Sequence, residues 1–258
     1  MKLTPIFYPY RIYSEGASVL AKELDTWLVY PNRNYIPKKR HLVICWGAGT
    51  YPNWWKRVPP TQVLNSPGHI LTAINKLRTF EAFKQLGISC PPWTTRRDVA
   101  VDWQSQGHIV VCRSSLTSSE GRGIVVADKT VKLPHCYLYT KHIRHKREFR
   151  VHVFKGTVID VTEKRKRDTR PKNISKLDRM IRSWRHGFVF CHEDVDCPKE
   201  ALNEAIRAVK GLQLDFGAVD IGFREKESKP YVFEVNTAPG IEGRTIQRYA
   251  DAIRQVCN

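Results

Sequence analysis

The sequence lacks any apolar run that approaches the roughly 18 residues needed to cross a bilayer. Its first 16 residues, MKLTPIFYPYRIYSEG, contain prolines, tyrosines and an arginine instead of a continuous apolar segment, so a signal peptide is not expected. The seven cysteines are odd in number, dispersed and without a C-x-x-C pair, which argues against a disulfide framework and a zinc finger. These features predict a cytoplasmic protein with reduced thiols and no membrane partner.

Acidic residues are also few, with 25 Asp and Glu against 43 Lys and Arg and a net charge of +18. The excess is local, because residues 141–185 contain 16 basic and 5 acidic residues. A localised basic field indicates an anionic partner: a nucleotide, a nucleic acid, or an acidic small molecule or peptide. A solvated basic surface is the alternative.

Hydrophobic spacing and turn residues predict a mixture of helices and strands, that is, an α/β or α+β fold. Helical spacing covers residues 15–24, 75–86, 198–210 and a last segment around 246–253. Strand patterns cover residues 41–47, 108–113, 123–127, 136–143, 148–166 (with a turn at 155–156), 216–223 and 231–236. The first helix, strand and glycine turn predict a small unit over residues 1–66, and the basic stretch 165–180 predicts a long loop.

An acid and an amide stand at the end of an apolar strand, YVFEVN. Because side chains alternate across a strand, Glu234 and Asn236 face the same way. Asp220 lies in the preceding strand, GAVDIGF, and the short turn between the strands favours antiparallel pairing with Asp220 opposite Glu234. Two carboxylates and an amide oxygen that converge in a half-buried place are suited to Mg²⁺. A surface Asp and a turn-capping Asn are the alternative.

A glycine-containing loop, SSEGRG (118–123), links two strands and allows backbone N–H groups to approach an anion. It lacks the GK[ST] ending of a Walker loop, and no helix follows it as in a dinucleotide fingerprint, so an ordinary hairpin is the alternative. Arg113 ends the strand before this loop. Lys76 begins a predicted helix, where a positive charge opposes the helix dipole and is poorly explained as a structural choice.

The order of these motifs, NK…LGISCPP, strand–Gly loop–strand, YTKHI, EFRVHV, VDIGF and FEVNTAPG, resembles the ATP-grasp superfamily of carboxylate–amine ligases. The resemblance covers about residues 65–250 and is most specific at the E-x-N-x-x-P-G strand end. It looks most like the ribosomal-protein glutamate ligases and small phage-encoded ATP-grasp proteins, for which the cytoplasm would be that of the host. It implies two α/β subdomains that grip ATP, at residues 67–137 and 138–258, behind a leading domain at 1–66.

The resemblance implies a role for each matching residue. The residues expected to bind ATP are Lys76, Arg113, Ser118, Ser119, Gly121, Gly123, Lys141, His142 and Glu148. Within this set Lys76, Arg113 and the loop contact phosphates, the backbone at Lys141 and His142 contacts adenine, and Glu148 contacts ribose. The expected metal ligands are Asp220, Glu234 and Asn236, holding Mg²⁺ as two ions, with Mn²⁺ able to substitute.

Two catalytic residues, Arg150 and Arg182, are expected beside the transferred phosphate and acyl group. The chain departs from the family at three places. Arg113 stands where a lysine is usual, Lys141 where an acid is frequent, and Trp184 where an asparagine follows Arg-Ser.

The implied activity is an ATP- and Mg²⁺-dependent ligase that joins a carboxylate to an amine through an acyl phosphate and releases ADP and phosphate. The acid and the amine are not identified by the sequence, although the charge predicts that one is anionic. Two alternatives stay open: a nucleic-acid-binding protein that stacks bases on Trp46, Trp54 and Trp55, and a kinase-like phosphotransferase. Residues 164–167 are expected on the loop side of the basic run, where they would capture the acceptor.

Overall fold

The computed structural model describes residues 2–30, 35–118, 122–167, 169, 175, 177 and 180–258. The first part of the chain forms β1 (Thr4–Pro9), α1 (Glu15–Glu23), β2 (His41–Trp46), β3 (Val63–Leu64), α2 (Pro67–Ile74), α3 (Lys76–Gln85), β4 (Trp93–Thr94), α4 (Arg97–Ser105), β5 (Val110–Arg113), β6 (Ile124–Ala127) and β7 (Leu138–Lys141). The second part forms β8 (Arg147–Phe154), β9 (Thr157–Lys166), β10 (Phe188–Cys191), α5 (Lys199–Gly211), β11 (Phe216–Arg224), β12 (Lys229–Asn236) and α6 (Arg244–Cys257). The predicted mixture of helices and strands is confirmed.

The first sheet is parallel, in the order β1-β2-β3. Its central strand, HLVICW, is buried at every position, as expected for a parallel strand covered on both faces. This sheet lies within the range predicted for a leading domain, 1–66.

The second sheet is antiparallel, in the order β4-β7-β5-β6. It includes β7, which begins at Leu138 and pairs with both β4 and β5. The sheet therefore continues past residue 137, where the sequence placed a subdomain boundary.

The third sheet is antiparallel, in the order β10-β9-β8-β11-β12. One face packs on α5: Val151, Val219 and Val235 are buried there with Ala201 and Ala205 of the helix. The alternation that turns these valines toward α5 turns their neighbours in sequence to the other face, which is polar. The site described below lies on that polar face.

The first sheet is fastened to the third by Trp46 and Asn65. Trp46 stacks on Phe216, with ring centroids 5.2 Å apart. Asn65 is fully buried in a left-handed conformation (φ 57°). Its Oδ1 accepts hydrogen bonds from the backbone N–H groups of Asp215 (2.7 Å) and Phe216 (3.1 Å), and its Nδ2 donates to the Phe216 carbonyl (2.9 Å).

Asn65→Ala is expected to lower the free energy of unfolding by roughly 3 kcal/mol, because it leaves two buried N–H groups without their acceptor and places a Cβ-bearing residue at positive φ without the Asn side chain. Urea unfolding measures the loss. Asn65→Gly removes the backbone strain and isolates the hydrogen bonds, and the exposed Asn53→Ala is the matched control. A loss for Asn65→Ala no larger than that for Asn53→Ala would contradict this role.

The predicted elements are present, and several elements without a clear pattern were missed. α2, one of these missed elements, begins with Pro67 and Gly68, and Pro is favourable at the first turn of a helix. β1 has a proline at each end of its buried centre. The basic loop expected at 165–180 lies largely outside the described residues, and β9 continues to Lys166. No helix in the described ranges has the length and apolar character to span a membrane.

Candidate functional site

Five charged side chains lie together on the polar face of the third sheet: Glu148, Arg150, Lys164, Asp220 and Glu234. The strand register brings them together. Asp220 in the β11 strand pairs with Arg150 of β8 on one side and with Glu234 of β12 on the other. The predicted opposition of Asp220 and Glu234 is confirmed.

Asp220 is buried and receives three N–H donors. Arg150 binds it in a bidentate manner, with Nε 2.7 Å from Oδ1 and Nη2 2.9 Å from Oδ2. Lys164 Nζ lies 3.0 Å from the same Oδ2. Burial alone would raise the pKa of Asp220, but Arg150 and Lys164 outweigh it and lower this pKa. The Arg150 guanidinium also lies 4.1 Å from the ring centroid of Phe190, which covers it.

Glu148 is the second buried carboxylate of the cluster. Lys164 Nζ lies 2.6 Å from its Oε1, and His145 Nε2 lies 3.0 Å from its Oε2. Arg182 is farther away, with Nε 3.8 Å from Oε2. Burial would raise the pKa of Glu148, but Lys164 and His145 outweigh burial and lower this pKa to about 2. Lys164 is thus a largely buried residue of β9 that joins two carboxylates, and its expected place on the loop side was wrong.

The depressed pKa of Glu148 predicts acid lability. Its ionised form stabilises the fold fully above the ordinary pKa of 4.5, and this stabilisation is lost as pH falls from there toward about 2. The loss is of the order of 3 kcal/mol. Urea unfolding of the protein and of Glu148→Gln between pH 7 and pH 3 measures it. The variant should show a flatter acid limb; equal slopes for both proteins would show that Glu148 does not titrate in this range.

Glu234 pairs with Lys76, whose Nζ lies 2.7 Å from Oε2. Lys76 is the first residue of α3. Asn75 caps this helix, because its side-chain oxygen accepts hydrogen bonds from the backbone N–H groups of Leu77 and Arg78. Burial and Asp220 would raise the pKa of Glu234, but Lys76 outweighs them and lowers it. Arg113 is charged beside Glu234, and its buried Nε has no hydrogen-bond partner within the described ranges. Of the two expected phosphate ligands, Lys76 therefore pairs with Glu234, and Arg113 lies near enough for the charge of Glu234 to oppose the lowering of its pKa by burial.

The donor chemistry of this strand end fits Mg²⁺. Asp220 and Glu234 oppose each other across two strands, and Asn236 follows on the same strand with an amide nitrogen that is buried and unpaired in the described part of the chain. Among the described residues, no three His, Cys, Asp or Glu side chains converge as a ready metal site. The carboxylates are held by Lys and Arg instead, so a metal ion would exchange with these cations.

Comparisons with known proteins decide the fold. The structure of PsnB complexed with a minimal precursor, an ATP-grasp ligase, superposes with a TM-score of 0.72 at 12% sequence identity, covering 98% of this chain and 99% of that one. The D-alanine–D-alanine ligase of Bacillus anthracis complexed with ATP superposes with a TM-score of 0.63 at 14% sequence identity, covering 100% of this chain and 97% of that one. This chain has the ATP-grasp fold. The macrocyclase MdnC of Microcystis aeruginosa, bound with precursor peptide MdnA, superposes with a TM-score of 0.61 at 12% sequence identity, covering 98% of this chain and 99% of that one. No family sequence model and no curated protein sequence matches the chain.

The glycine loop of this ATP-grasp chain connects β5 to β6. Ser118 Oγ donates to the Arg122 carbonyl at 2.7 Å, and Gly123 has φ 70°. A Cβ on Gly123 would lie 2.7 Å from Ser114 Oγ, so a side chain there would strain the hairpin itself. Ser119 and Gly121 lie outside the described residues, and their expected phosphate contacts stay predictions.

The backbone N–H groups expected at adenine are already bonded within the fold. Lys141 N–H donates to the Pro92 carbonyl (2.9 Å) and His142 N–H to the Ile109 carbonyl (2.8 Å). The Lys141 ammonium lies 5.1 Å above the Trp103 ring. Burial lowers the pKa of His142 to about 4, so its imidazole is neutral at pH 7. These two N–H groups are therefore not free, and the expected backbone contact with adenine stays a prediction.

Arg182 is bonded to backbone carbonyls in the described structure, and two of the tryptophans differ from the sequence expectations. Arg182 donates to the backbone carbonyls of His145 (2.7 Å) and Lys146 (3.0 Å), so it fixes the turn that leads into β8. Trp46 and Trp54 are 1% and 4% exposed and belong to the core, so the idea that they stack nucleic-acid bases was wrong.

A pocket of about 380 Å³ lies at the turn that follows β12, and sequence reasoning missed it. Its walls are the start of α1, with Glu15 and Gly16, and the turn from Gly240 to Gly243. Gly16 is packed closely there, because a Cβ would lie 3.0 Å from the Pro239 carbonyl oxygen. The glycines on both walls were the available sequence signal for this pocket. The start of α1 and the turn after β12 are far apart in sequence, so only tertiary structure shows that they lie together.

Proposed function

We propose that this chain is an ATP- and Mg²⁺-dependent ligase that joins a carboxylate to an amine through an acyl phosphate. The observation that carries the proposal is the opposed pair Asp220–Glu234, surrounded by Lys76, Arg150 and Lys164 on the polar face of an ATP-grasp sheet. A protein that merely binds polyanions has no use for buried carboxylates among its cations, since they repel phosphate.

The chemistry needs activation because a carboxylate is a poor acyl donor. One carboxylate oxygen attacks the γ-phosphorus of ATP and ADP leaves. The amine nitrogen then attacks the acyl carbon, loses a proton, and inorganic phosphate leaves with that oxygen. Asp220, Glu234 and Asn236 would hold Mg²⁺, which would neutralise charge on the phosphates. The proposal includes two Mg²⁺ ions, for which Mn²⁺ can substitute.

The roles of the cations follow from their positions. Lys76 and Arg113 bind the phosphates of ATP beside Glu234. Arg150 and Arg182 offset the charge that develops on the transferring phosphoryl and the acyl phosphate, Arg150 from the side of Asp220 and Arg182 from the side of Glu148. Glu148 holds the ribose. Because the fold supplies these charges in a fixed arrangement, no nucleophilic side chain is needed.

The similar solved structures support a nucleotide, Mg²⁺ and a peptide as ligands of the proposed enzyme. PsnB has been determined with Mg and ADP together with its minimal precursor, and with AMPPNP together with its precursor peptide PsnA2. We place the acceptor amine of this chain in the pocket between α1 and Gly240–Gly243, where Glu15 and Glu242 suit an ammonium group. Residues 1–66 would then serve as the acceptor-binding leading domain ahead of two ATP-grasp subdomains, with β7 in the first of them. A cytoplasmic location is part of the proposal.

The test is ADP release with pools of amino acids, peptides and polyamines, with and without Mg²⁺, and with a nucleic-acid competitor at varied salt. A ligase releases ADP and phosphate only when an acid and an amine are both present, and forms an amide that mass spectrometry detects. A phosphorylated product without an amide would support a phosphotransferase. Nucleic-acid binding without ADP release would reject the proposal.

A further inference from the structure

Lys164 is a buried lysine for which the roles above leave no task. Its ammonium lies between two carboxylates of the site, 2.6 Å from Glu148 Oε1 and 3.0 Å from Asp220 Oδ2, and its side chain is 11% exposed. Under the proposed function these carboxylates serve different ligands, the ribose and the metal ion. Lys164 is therefore placed where nucleotide and metal binding meet.

Lys164 and Arg150 share the carboxylate of Asp220, but they hold it differently. Arg150 makes two parallel hydrogen bonds and is covered by Phe190, a geometry that favours a lasting ion pair. Lys164 makes one contact, to an oxygen that already accepts from Arg150. An ammonium is a point charge on a flexible stem, so it is the easier of the two to displace.

The carboxylates of the described cluster are fully compensated without a ligand. Glu148, Asp220 and Glu234 carry three negative charges, Lys76, Arg150 and Lys164 carry three positive charges, and Arg113 and Arg182 add positive charge nearby. A divalent cation that entered alone would meet carboxylates already paired with ammonium and guanidinium groups, and like charges would repel it. A nucleotide brings phosphate oxygens that accept the displaced cation. Buried charge stays compensated when both ligands arrive together.

We infer that Lys164 is the exchangeable counter-ion of the metal carboxylate Asp220. It occupies Asp220 in the free protein, opposes a divalent cation that binds without nucleotide, and moves to the oxygens of a bound nucleotide. Through this exchange Lys164 makes metal and nucleotide binding depend on each other. The inference rests on the proposed function, because it requires that Asp220 holds a metal ion.

The test measures the affinities for Mn²⁺ and for ADP separately. Loss of a lysine with a purely structural role would not strengthen one of them and weaken the other. Mn²⁺ is titrated without nucleotide and followed by electron paramagnetic resonance, and ADP is titrated without divalent cations by calorimetry. Lys164→Met should bind Mn²⁺ about tenfold more tightly and ADP about tenfold more weakly, the size of effect expected from one neighbouring charge. Lys164→Arg keeps the charge and should shift both affinities less.

Arg147→Met is the matched control, because it breaks an ion pair between the same two strands on their other face. Arg147 Nε lies 2.8 Å from Glu163 Oε1, and neither residue belongs to the site. This variant should leave both affinities unchanged. Urea unfolding verifies that each variant is folded, and Lys164→Gln replaces Lys164→Met if the latter does not fold.

The outcomes separate the inference from the proposed function. If the unaltered protein binds neither Mn²⁺ nor ADP when both are present, the proposed function fails. If it binds both, and the Lys164 variant changes neither affinity or weakens both, the proposed function stands and the exchange is overturned.

Discussion

Glu234→Gln is expected to reduce Mg²⁺-dependent ATP turnover by at least about a hundredfold while the fold stays intact. Glutamine keeps the volume and an oxygen that can accept from Lys76, but it removes the negative charge that a divalent cation requires. Glu234 forms its ion pair at the open side of the cluster, where its side chain is 27% exposed and within reach of a ligand. Steady-state ADP release at saturating ATP and varied Mg²⁺ is the measurement.

Glu227→Gln is the control for this prediction, since Glu227 pairs with Arg224 on the exposed turn after β11, away from the site. That variant should turn over ATP like the unaltered protein. Raised Mg²⁺ should restore only a small part of the activity of Glu234→Gln, because the lost charge belongs to the metal ligand. Normal turnover by Glu234→Gln at ordinary Mg²⁺ would remove Glu234 from the metal site.

Arg150→Ala should lower both stability and turnover. It leaves the buried Asp220 with Lys164 as its remaining cation, and breaking a buried ion pair costs about 3–5 kcal/mol. Turnover should fall at saturating ATP, since the arginine acts on charge that develops during phosphoryl transfer. Arg150→Lys should recover part of the stability and little of the turnover, because lysine cannot make the bidentate contact. Urea unfolding and ADP release on the same preparations separate the two effects.

Arg182→Ala provides the comparison. Arg182 lies 3.8 Å from Glu148 and makes its closer bonds to backbone carbonyls, so its loss should cost less stability than that of Arg150 and still lower turnover. If both arginines contacted a nucleic-acid backbone instead, each change to Ala would leave ADP release unaffected. The salt dependence of nucleic-acid binding would then fall by roughly one ion per site. That result would contradict the ligase role of both residues.

The opposed pair Asp220–Glu234 could be predicted from sequence because its geometry is local. β11 and β12 are joined by a short turn, so alternation and antiparallel pairing suffice to place Asp220 opposite Glu234. The unfavourable position of Lys76 at a helix start likewise singled it out in the sequence, whereas its ion pair with Glu234 was not predicted.

The partners of Asp220 could not be predicted, because they depend on strand order. β8 lies beside β11, although β9, β10 and α5 separate them in the chain. No local pattern shows that Arg150 will pair with Asp220 or that Lys164 will reach it. For the same reason the sequence left open that Trp46 stacks bases: a short strand does not reveal that Phe216 of a distant strand will cover it.

The transfer of an oxygen atom from a carboxylate to inorganic phosphate tests the acyl-phosphate route most directly. The protein is incubated with ATP, Mg²⁺, candidate amines and a pool of amino acids and peptides whose carboxylates carry ¹⁸O, and the products are analysed by mass spectrometry. The proposed chemistry predicts ADP, an amide, and phosphate that carries one ¹⁸O atom. AMP with pyrophosphate, or phosphate without ¹⁸O beside a newly formed amide, would contradict it.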